Sequence, residues 1–313
     1  MILNIISLLV IALAIRAVVR LARMFVMWLG RGKTLERALD EDRLSAEARQ
    51  AADDAESWQA KRHLEGAAGV GGIPHPHLSG PLRSEVLRAD VSRREEYLDR
   101  IHLGWYQVVL IFFLGSIAGL VLEETWMLVT AGLTQSRVGL VWGPFSPLYG
   151  FGAVLLTIVS FQLRKRHATW WQTFLLAVLI GGSLEQVTGW SMETLFHAQS
   201  WTYAYLPDAI TQWVAWRFLF FWGVIGLVWS RFVMPELLYR IGMPTTRRQV
   251  IFVSLLAAYL SADIFMTLVC FNRQKARNQG IPAKTSLESW VDEHYSDEWI
   301  ASRFQNLVVG TQL

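Results

Sequence analysis

Five carboxylates lie on or inside long apolar stretches of the sequence, where an ionised side chain is costly. They are Glu123, Glu124, Glu185, Glu193 and Asp263. Each stretch holds roughly 20 mostly apolar residues, the length that a helix needs to cross the hydrocarbon core of a bilayer. Ionisable residues at such positions usually face the protein interior or a water-filled path and take part in function. We therefore expect these carboxylates to bind a cation, a proton or a basic group of a substrate.

The composition is that of an integral membrane protein. The 313 residues are 53% hydrophobic and include 15 tryptophans, which is too apolar a mixture for an ordinary soluble domain. The net charge of +3 does not indicate nucleic-acid binding, because the basic residues cluster beside the apolar stretches, where the positive-inside rule accounts for them. We expect a multi-pass protein of the cell inner membrane, with membrane lipid as a partner.

Six apolar stretches predict an all-α, polytopic fold with about six transmembrane helices. They cover residues 2–15, 104–130, 148–163, 170–190, 216–234 and 250–271. The basic residues between the stretches alternate as the positive-inside rule requires if those at 31–100, 164–166 and 240–248 are cytoplasmic. The loops at 131–147 and 191–215 are then outside, and the same parity places the C-terminal tail outside.

Charge divides the chain into four parts. Residues 1–29 are expected to be a retained N-terminal membrane anchor with a basic amphipathic extension, and residues 30–103 a charged cytoplasmic helical segment. The transmembrane core follows at 104–271, and a polar tail at 272–313. Basic residues at the start of this tail argue against an outside location.

The first outer loop is rich in helix breakers. Residues 137–152 hold two prolines and four glycines among aromatic side chains, and they include the candidate site residues Arg137 and Tyr149. Non-helical backbone at membrane depth is tolerated only inside protein or beside a wet cavity, so the segment fits a re-entrant loop next to the carboxylates. A tight outer turn, anchored by aromatic residues in the head-group region, is the alternative.

The second outer loop supplies three more candidates. Trp201 and Tyr203 lie within it, and Arg217 follows at the start of the next apolar stretch. Arg217 could act as the counter-ion of Glu185 or Glu193 if the helices meet. The alternative is an interfacial aromatic belt with an arginine that reaches toward water.

Two triplets with four-residue spacing lie 70 positions apart in the sequence, at Gly115/Gly119/Glu123 and Glu185/Gly189/Glu193. Each triplet occupies one face of a helix. The match indicates either a parallel repeat of a two-helix unit or a chance similarity between apolar helices. A duplication in this register would place Glu123 and Glu193 at the same depth.

Five short motifs occur in order along the apolar part of the chain. They are Gly119-x-x-x-Glu123, Gly143-Pro144-x-x-Pro147-x-Tyr149-Gly150-x-Gly152, Glu185-x-x-Thr188-Gly189-x-x-x-Glu193, Trp201-x-Tyr203 and Trp222-Gly223. Together they resemble the family of small bacterial membrane proteins described as putative type IV ABC-transporter permeases, and a similar family of animal transmembrane proteins. The resemblance covers about residues 104–300 and implies a role in transport.

The leading functional hypothesis is a permease-like protein that moves a small or cationic solute, or protons, through a cavity lined by the membrane carboxylates. The alternative is a non-catalytic membrane subunit or lipid-binding scaffold, in which the glutamates pair with Arg137 and Arg217. An enzyme is disfavoured, because Gly-x-Ser-x-Gly and His-Glu-x-x-His motifs are absent. The adjacent Glu123 and Glu124 also lack the arginine that paired-glutamate intramembrane proteases carry, since position 128 is Leu.

The sequence predicts no cofactor and no metal site. His75 and His77 share a Gly/Pro-rich loop, but they have no further ligands nearby in the sequence. No Gly-x-x-x-x-Gly-Lys-Ser/Thr loop occurs, so ATP hydrolysis would need a separate ATP-binding subunit. A homo-oligomer is compatible with the same sequence.

Overall fold

The computed structural model describes residues 94–132, 134–244 and 247–309, together with Arg16. The predictions for the anchor at 1–29, except at Arg16, and for residues 30–93, including His75 and His77, lie outside this described part. The chain divides into two compact units, one made of Met1–His102 and Pro235–Pro244, the other of Leu103–Met234 and Thr245–Leu313.

Helices account for most of the described chain. In order, they and the two short strands are α1 (Trp105–Ala131), α2 (Pro147–Lys165), α3 (Trp170–Phe196), β1 (Ala198–Gln199), α4 (Trp216–Val228), a π-helical turn (Trp229–Val233), α5 (Met234–Ile241), α6 (Arg247–Asn278), α7 (Ser286–His294), α8 (Asp297–Arg303) and β2 (Val308–Val309). The fold is therefore all-α apart from one two-stranded pairing among the described residues.

Four helical segments of the described part are long and apolar enough to cross a membrane. They are α1, α2, the continuous stretch Trp216–Ile241, and α6. The helix α3 has the same 27-residue length as α1 but does not belong to this set, because it is less apolar. The predicted stretch at 2–15 lies outside the described residues. The expected number of six transmembrane helices is thus not confirmed, whereas a membrane protein with several apolar helices is.

The helices α1 and α2 form one hairpin, and α3 and α4 form another. The first helices of these two hairpins, α1 and α3, begin in the same way. The Gln107 side chain accepts a hydrogen bond from the backbone N–H of Gly104 at 3.0 Å, and the Gln172 side chain accepts one from Thr169 at 2.8 Å. Each glutamine thus satisfies a backbone donor that has no partner at a helix start. The helix α1 ends at Gly132, whose φ of 65° is the left-handed conformation that suits glycine at a helix C-terminus.

Glycines let the two hairpins pack closely. The helix α1 packs along α2, and α3 packs along α4. A Cβ added at Gly119 would lie 2.1 Å from the Tyr149 Cβ, and one added at Gly181 would lie 2.0 Å from the Trp222 Cγ. An aromatic side chain of each second helix therefore sits directly on the backbone of the first helix, as small residues permit in membrane helix pairs.

The loop between α1 and α2 folds back along α1. The backbone N–H of Ser146, at the start of α2, donates to the carbonyl of Ser116 at 3.2 Å. Ser116 lies roughly four turns before the C-terminal end of α1. Val138, Leu140 and Val141 of the loop are buried. The loop therefore runs back along α1 and is not a tight turn at the helix end. For this backbone course alone we call residues 134–146 the re-entrant loop.

The C-terminal tail is folded and packs on this loop. We call residues 286–309, which include α7, α8 and β2, the C-terminal cap. Arg303 of the cap donates hydrogen bonds to the carbonyl oxygens of Leu140, at 3.1 Å, and of Gly143. The indole N–H of Trp142 donates to the Tyr295 hydroxyl at 3.0 Å. The cap thus supplies hydrogen-bonding partners to loop backbone that helix formation leaves unpaired.

The cap also contacts the loop that follows α3. The strand β2 pairs antiparallel with β1, with Ala198 opposite Val309. The Asn306 side-chain amide donates to the Ser200 hydroxyl at 2.7 Å. The cap therefore lies at the same end of the helix bundle as both loops, which agrees with the predicted parity of the chain.

The basic residues at the start of the tail have acidic partners. Arg273 is 3% exposed and pairs with Asp292 at 2.5 Å. Arg277 pairs with Asp292 and with Asp297, each at 2.5 Å. Because these charges are neutralised within the protein, they oppose an outside location less than unpaired arginines would.

The unit that contains α5 is described by a few contacts of its own. Residues 94–100 are helical, and the ring of Tyr97 meets that of Tyr239 edge-on, with centroids 5.7 Å apart. Glu236 pairs with Arg94 at 3.5 Å and also with Arg240. Within the charged segment predicted at 30–103, residues 94–100 are therefore helical and residues 101–103 are not.

Replacement of Gly181 by alanine should destabilise the protein by about 1–3 kcal/mol, because the new methyl group would overlap the Trp222 ring. Unfolding in detergent, followed by heat or denaturant, measures the change. Gly182→Ala is the matched control, since its methyl group would meet only the movable end of the Leu219 side chain at 2.8 Å. Equal stability of the two variants would contradict the close packing of Trp222 on α3.

Replacement of Asp292 by asparagine should lower stability by about 1–3 kcal/mol at neutral pH, because the buried Arg273 loses its carboxylate. The hydrogen bond from Arg273 lowers the pKa of Asp292 below its ordinary value of 3.8. Its stabilising effect is therefore present above that ordinary value and is lost as the pH falls through the lower pKa of the folded state.

Melting temperatures of the wild type and Asp292→Asn should consequently converge as the pH falls below about 3.8, where the wild-type carboxylate becomes protonated. The neighbouring Glu293 is exposed, so Glu293→Gln serves as the control and should behave like the wild type. A difference that stayed constant down to the lowest pH would rule out the charged pair as its cause.

Candidate functional site

Two carboxylates lie in corresponding halves of their hairpins. Glu123 is in α1 and Glu185 in α3, each roughly two to three turns before the C-terminal end of its helix. Both helices run toward the end of the bundle that carries the re-entrant loop and the C-terminal cap. The second helices, α2 and α4, begin beside these carboxylates because the loops fold back along α1 and α3.

Glu123 has a positive partner from the re-entrant loop. The Arg137 guanidinium lies 3.5 Å from the Glu123 carboxylate, and both side chains are mostly buried. The backbone N–H of Arg137 donates to the Glu124 carboxylate at 3.3 Å. The Tyr149 hydroxyl, at the start of α2, is within hydrogen-bonding reach of Glu123. The sequence-predicted residues Glu123, Glu124, Arg137 and Tyr149 therefore come together.

Glu185 has no positive partner among the described residues. The side chain is 7% exposed, and its Oε1 accepts a hydrogen bond from the Trp222 indole at 2.9 Å. Its Oε2 is buried and has no hydrogen-bond partner in the described part of the chain. A buried carboxylate normally uses both oxygens, so one acceptor here is free to bind a ligand.

Aromatic side chains join the two carboxylates into one group. The rings of Tyr149 and Trp222 are nearly parallel, with an interplanar angle of 24° and centroids 6.4 Å apart. Tyr149 and Tyr203 each interact electrostatically with both Glu123 and Glu185. We call Glu123, Arg137, Tyr149, Glu185, Tyr203 and Trp222 the carboxylate cluster.

Tyr203 contributes a neutral donor to the carboxylate cluster. Its ring stacks on Phe218, with centroids 4.4 Å apart. Burial, followed by the charges of Glu185 and Glu123, raises the pKa of Tyr203 well above its ordinary value. The phenol therefore keeps its proton at physiological pH and can donate a hydrogen bond to an anionic group.

Asp263 performs a different task from the carboxylate cluster. It lies in α6 with no exposed surface, and its Oδ1 accepts a hydrogen bond from the backbone N–H of Trp142 at 2.8 Å. One turn later, the Thr267 hydroxyl accepts a hydrogen bond from the backbone N–H of Val141 at 2.9 Å. These two side chains of α6 hold the re-entrant loop in place, although the second oxygen of Asp263 has no partner among the described residues.

Two other predicted site residues have local partners. The Glu193 carboxylate accepts a hydrogen bond from the Gln212 amide at 2.8 Å. The Trp201 indole donates to the backbone carbonyl of Trp213 at 3.1 Å. Gln212 and Trp213 belong to the segment that returns along α3, so these contacts stabilise the second loop and do not join the carboxylate cluster.

One of the two interpretations of Arg217, that it is the counter-ion of Glu185 or Glu193, is wrong. Arg217 pairs with Asp208 at 2.6 Å and is exposed, whereas the sequence suggested Glu185 or Glu193. The backbone N–H of Arg217 also donates to the Asp208 carboxylate, at 3.0 Å. A short-range ion pair at the helix start competes better than a buried carboxylate, because neither charge has to leave water fully. The hydrogen bonds from the Arg217 side chain lower the pKa of Asp208 below its ordinary value.

Trp222 is a site residue that was not predicted from the sequence. It appeared only as part of a Trp-Gly motif, although an indole N–H in an apolar helix needs an acceptor and a carboxylate is the strongest one available. The sequence signal was the Trp222-Gly223 pair. A glycine in an apolar helix indicates close packing, and Phe174 packs on Gly223 here. No group of three His, Cys, Asp or Glu side chains in the described residues could hold a metal ion.

Replacement by glutamine should change the free energy of unfolding differently at Glu123 and at Glu185. Glu123→Gln leaves the Arg137 guanidinium without a counter-charge and should cost about 1–3 kcal/mol of unfolding free energy. Glu185→Gln removes an uncompensated charge and keeps an oxygen for the Trp222 indole, so stability should stay equal or rise. Thermal unfolding in detergent compares the two variants, and an equal loss in both would contradict the assigned partners.

A comparison with known protein families matches the apolar part of the chain. The sequence model of the family described as putative ABC-transporter type IV matches residues 110–268, about half of the chain, from within α1 to within α6. No curated protein matches the chain, and no solved structure does. The chain belongs to the putative ABC-transporter type IV family.

Proposed function

We propose that this protein is a permease-like membrane component that moves a small cationic solute, or protons, along a path lined by Glu123 and Glu185. Family membership and the four apolar helices support a transport-related role in a membrane. The observation that carries the proposal is Glu185, which is 7% exposed and has one carboxylate oxygen without a partner in the described chain.

The energetic argument starts from the cost of this carboxylate. Removing an ionised group from water costs several kcal/mol unless a partner compensates it, and an apolar side chain at the same place would usually be more stable. A protein retains such a group when its charge or its proton is used. A passing cation or proton would supply the missing compensation for Glu185 during each transport cycle.

The proposal includes a separate energy source. The chain has no nucleotide-binding Gly-x-x-x-x-Gly-Lys-Ser/Thr loop. Its family is described as a putative ABC transporter of type IV. We infer that a separate ATP-binding subunit acts on the end of the helices opposite the C-terminal cap, where the short turn between α2 and α3 carries Arg164, Lys165 and Arg166. The proposal assigns no chemical reaction to this chain.

A second candidate function is a non-catalytic membrane subunit or lipid-binding scaffold. The pair between Arg137 and Glu123 favours it, since a compensated ion pair can fix the re-entrant loop without any transport. Under this alternative the carboxylate cluster would stabilise the fold and no solute would pass.

Reconstitution in liposomes distinguishes the two candidates. With an imposed gradient, cation or proton flux should be abolished by Glu185→Gln, because the amide cannot take up a proton or balance a cation. Glu193→Gln is the matched control on the same helix, since Glu193 already has Gln212 as its partner. Wild-type flux in the Glu185 variant would refute the transport path, and absence of flux in all forms, with or without ATP-binding subunit, would favour the scaffold.

A further inference from the structure

The two hairpins make the same contacts at matched positions. In each hairpin three close contacts join the first helix to the second. They are Phe112–Gly150, Gly115–Ala153 and Gly119–Tyr149 in the first hairpin, and Phe174–Gly223, Ala177–Gly226 and Gly181–Trp222 in the second. One constant shift of 62 residues relates the positions of α1 to those of α3, and another of 73 residues relates α2 to α4.

The same shifts relate the carboxylates and their donors. Glu123 corresponds to Glu185, and Tyr149 corresponds to Trp222. The Tyr149 hydroxyl lies within hydrogen-bonding reach of Glu123, and the Trp222 indole donates to Glu185. The 70-residue register suggested by the sequence, which aligned Glu123 with Glu193, is therefore not the one that the contacts support. The loops between the helices differ in length, so a single shift could not align both helices of a hairpin.

The two matched halves differ in charge compensation. Arg137 neutralises Glu123, whereas no cation of the described chain neutralises Glu185. Glu124, next to Glu123, accepts the backbone N–H of Arg137, and the negative charge of Glu185 is the one in the cluster that has no partner in the described chain. A ligand with a single positive charge would balance this charge, and the Oε2 of Glu185 is the negatively charged oxygen that its ammonium group would approach.

The surroundings of Glu185 select the chemistry of that ligand. A small metal ion needs several oxygen ligands, and the described residues provide no cluster of three acidic, His or Cys side chains. The aromatic side chains of Tyr149, Tyr203 and Trp222 instead lie near the two carboxylates. Aromatic rings next to a carboxylate are the chemistry that recognises an organic ammonium group, through cation–π attraction and one ion pair.

We propose that the two hairpins are matched half-sites and that they bind one organic ammonium group between them, with Glu185 as its counter-ion. This inference rests on the proposed function in taking the carboxylate cluster as the place where the transported or bound cation sits, and it names the class of that cation. The ammonium group can belong to a free amine or to a lipid headgroup, since both present the same charge and size.

Binding of choline to the full chain tests the inference. The protein is placed in nanodiscs of phosphatidylglycerol, which lacks an ammonium group, and choline is titrated by calorimetry. Saturable binding with one site is expected. Glu185→Gln should weaken it roughly tenfold or more, because the counter-charge is lost. Glu193→Gln should leave the affinity within about twofold, since Glu193 lies outside the carboxylate cluster.

The matched halves give the experiment a second readout. Tyr149→Phe and Trp222→Phe each keep an aromatic ring and remove the hydroxyl or the indole N–H that lies next to one carboxylate. Both variants should weaken choline binding by a similar factor, on the order of threefold, while melting curves in the same nanodiscs establish that each is folded. Loss of affinity in only one of these folded variants would refute the equivalence of the half-sites.

Three results would overturn the ligand assignment. They are the absence of saturable choline binding, an affinity that Glu185→Gln leaves unchanged, and displacement of choline by sodium or potassium ions at equal concentration. Competition by short-chain phosphatidylcholine at lower concentration than choline would identify a lipid headgroup as the source, and no competition would identify a free amine. Either source supports the inference.

The outcome is separable from that of the transport experiment. Choline binding that depends on Glu185, without flux in liposomes, would retain the ammonium site and refute the permease function. Proton or sodium flux that depends on Glu185, without choline binding, would retain the permease function and refute the ammonium site.

Discussion

A polar group inside a lipid bilayer must find its partner within the protein, and most of this structure follows from that requirement. The re-entrant loop exposes backbone groups that no helix satisfies. The Asp263 and Thr267 side chains of α6 accept hydrogen bonds from backbone N–H groups of the loop. Arg303 of the C-terminal cap donates hydrogen bonds to carbonyl oxygens of the loop. The loop is held from two sides because its donors and its acceptors need partners of opposite character.

The same requirement explains the form of the hairpins. If α2 and α4 extended as far as α1 and α3, the carboxylates would face only apolar side chains of the neighbouring helix. Because both second helices start beside the carboxylates, Tyr149, Trp222 and the re-entrant loop can reach Glu123 and Glu185. Glycines at the contact points keep the helix backbones close enough for these hydrogen bonds, since an ordinary side chain there would push the partners apart.

Much of the helical fold could be predicted from apolar length alone. The stretch predicted at 104–130 is α1 at Trp105–Ala131, and that predicted at 250–271 lies within the longer α6. The additional turns of α6 carry charged residues at both ends, which continue the helix beyond the apolar part and are invisible to a hydropathy pattern. The helix α3 was predicted correctly as a helix, although its polar content keeps it outside the set of clear membrane spans.

The partners of the candidate site residues were harder to predict. Glu123 and Arg137 could be paired because both stand near one loop, but Arg217 pairs with Asp208 in its own loop and not with a helix carboxylate. The match of Trp222 with Glu185 depends on how far α4 is shifted along α3, which is set by the glycine contacts. Sequence spacing within one helix gives its faces, whereas the offset between helices comes only from packing.

The distance along the chain between the re-entrant loop and Arg303 has a consequence for biosynthesis. Arg303 follows Leu140 by 163 residues, so the ribosome makes this hydrogen-bonding partner of the loop long after α1 and α2 can enter the membrane. Until then the loop carbonyls need water or another protein as a temporary partner. The cap can therefore dock only after α1 and α2 have been synthesised, and a nascent chain stopped before Arg303 would lack this partner of the loop carbonyls.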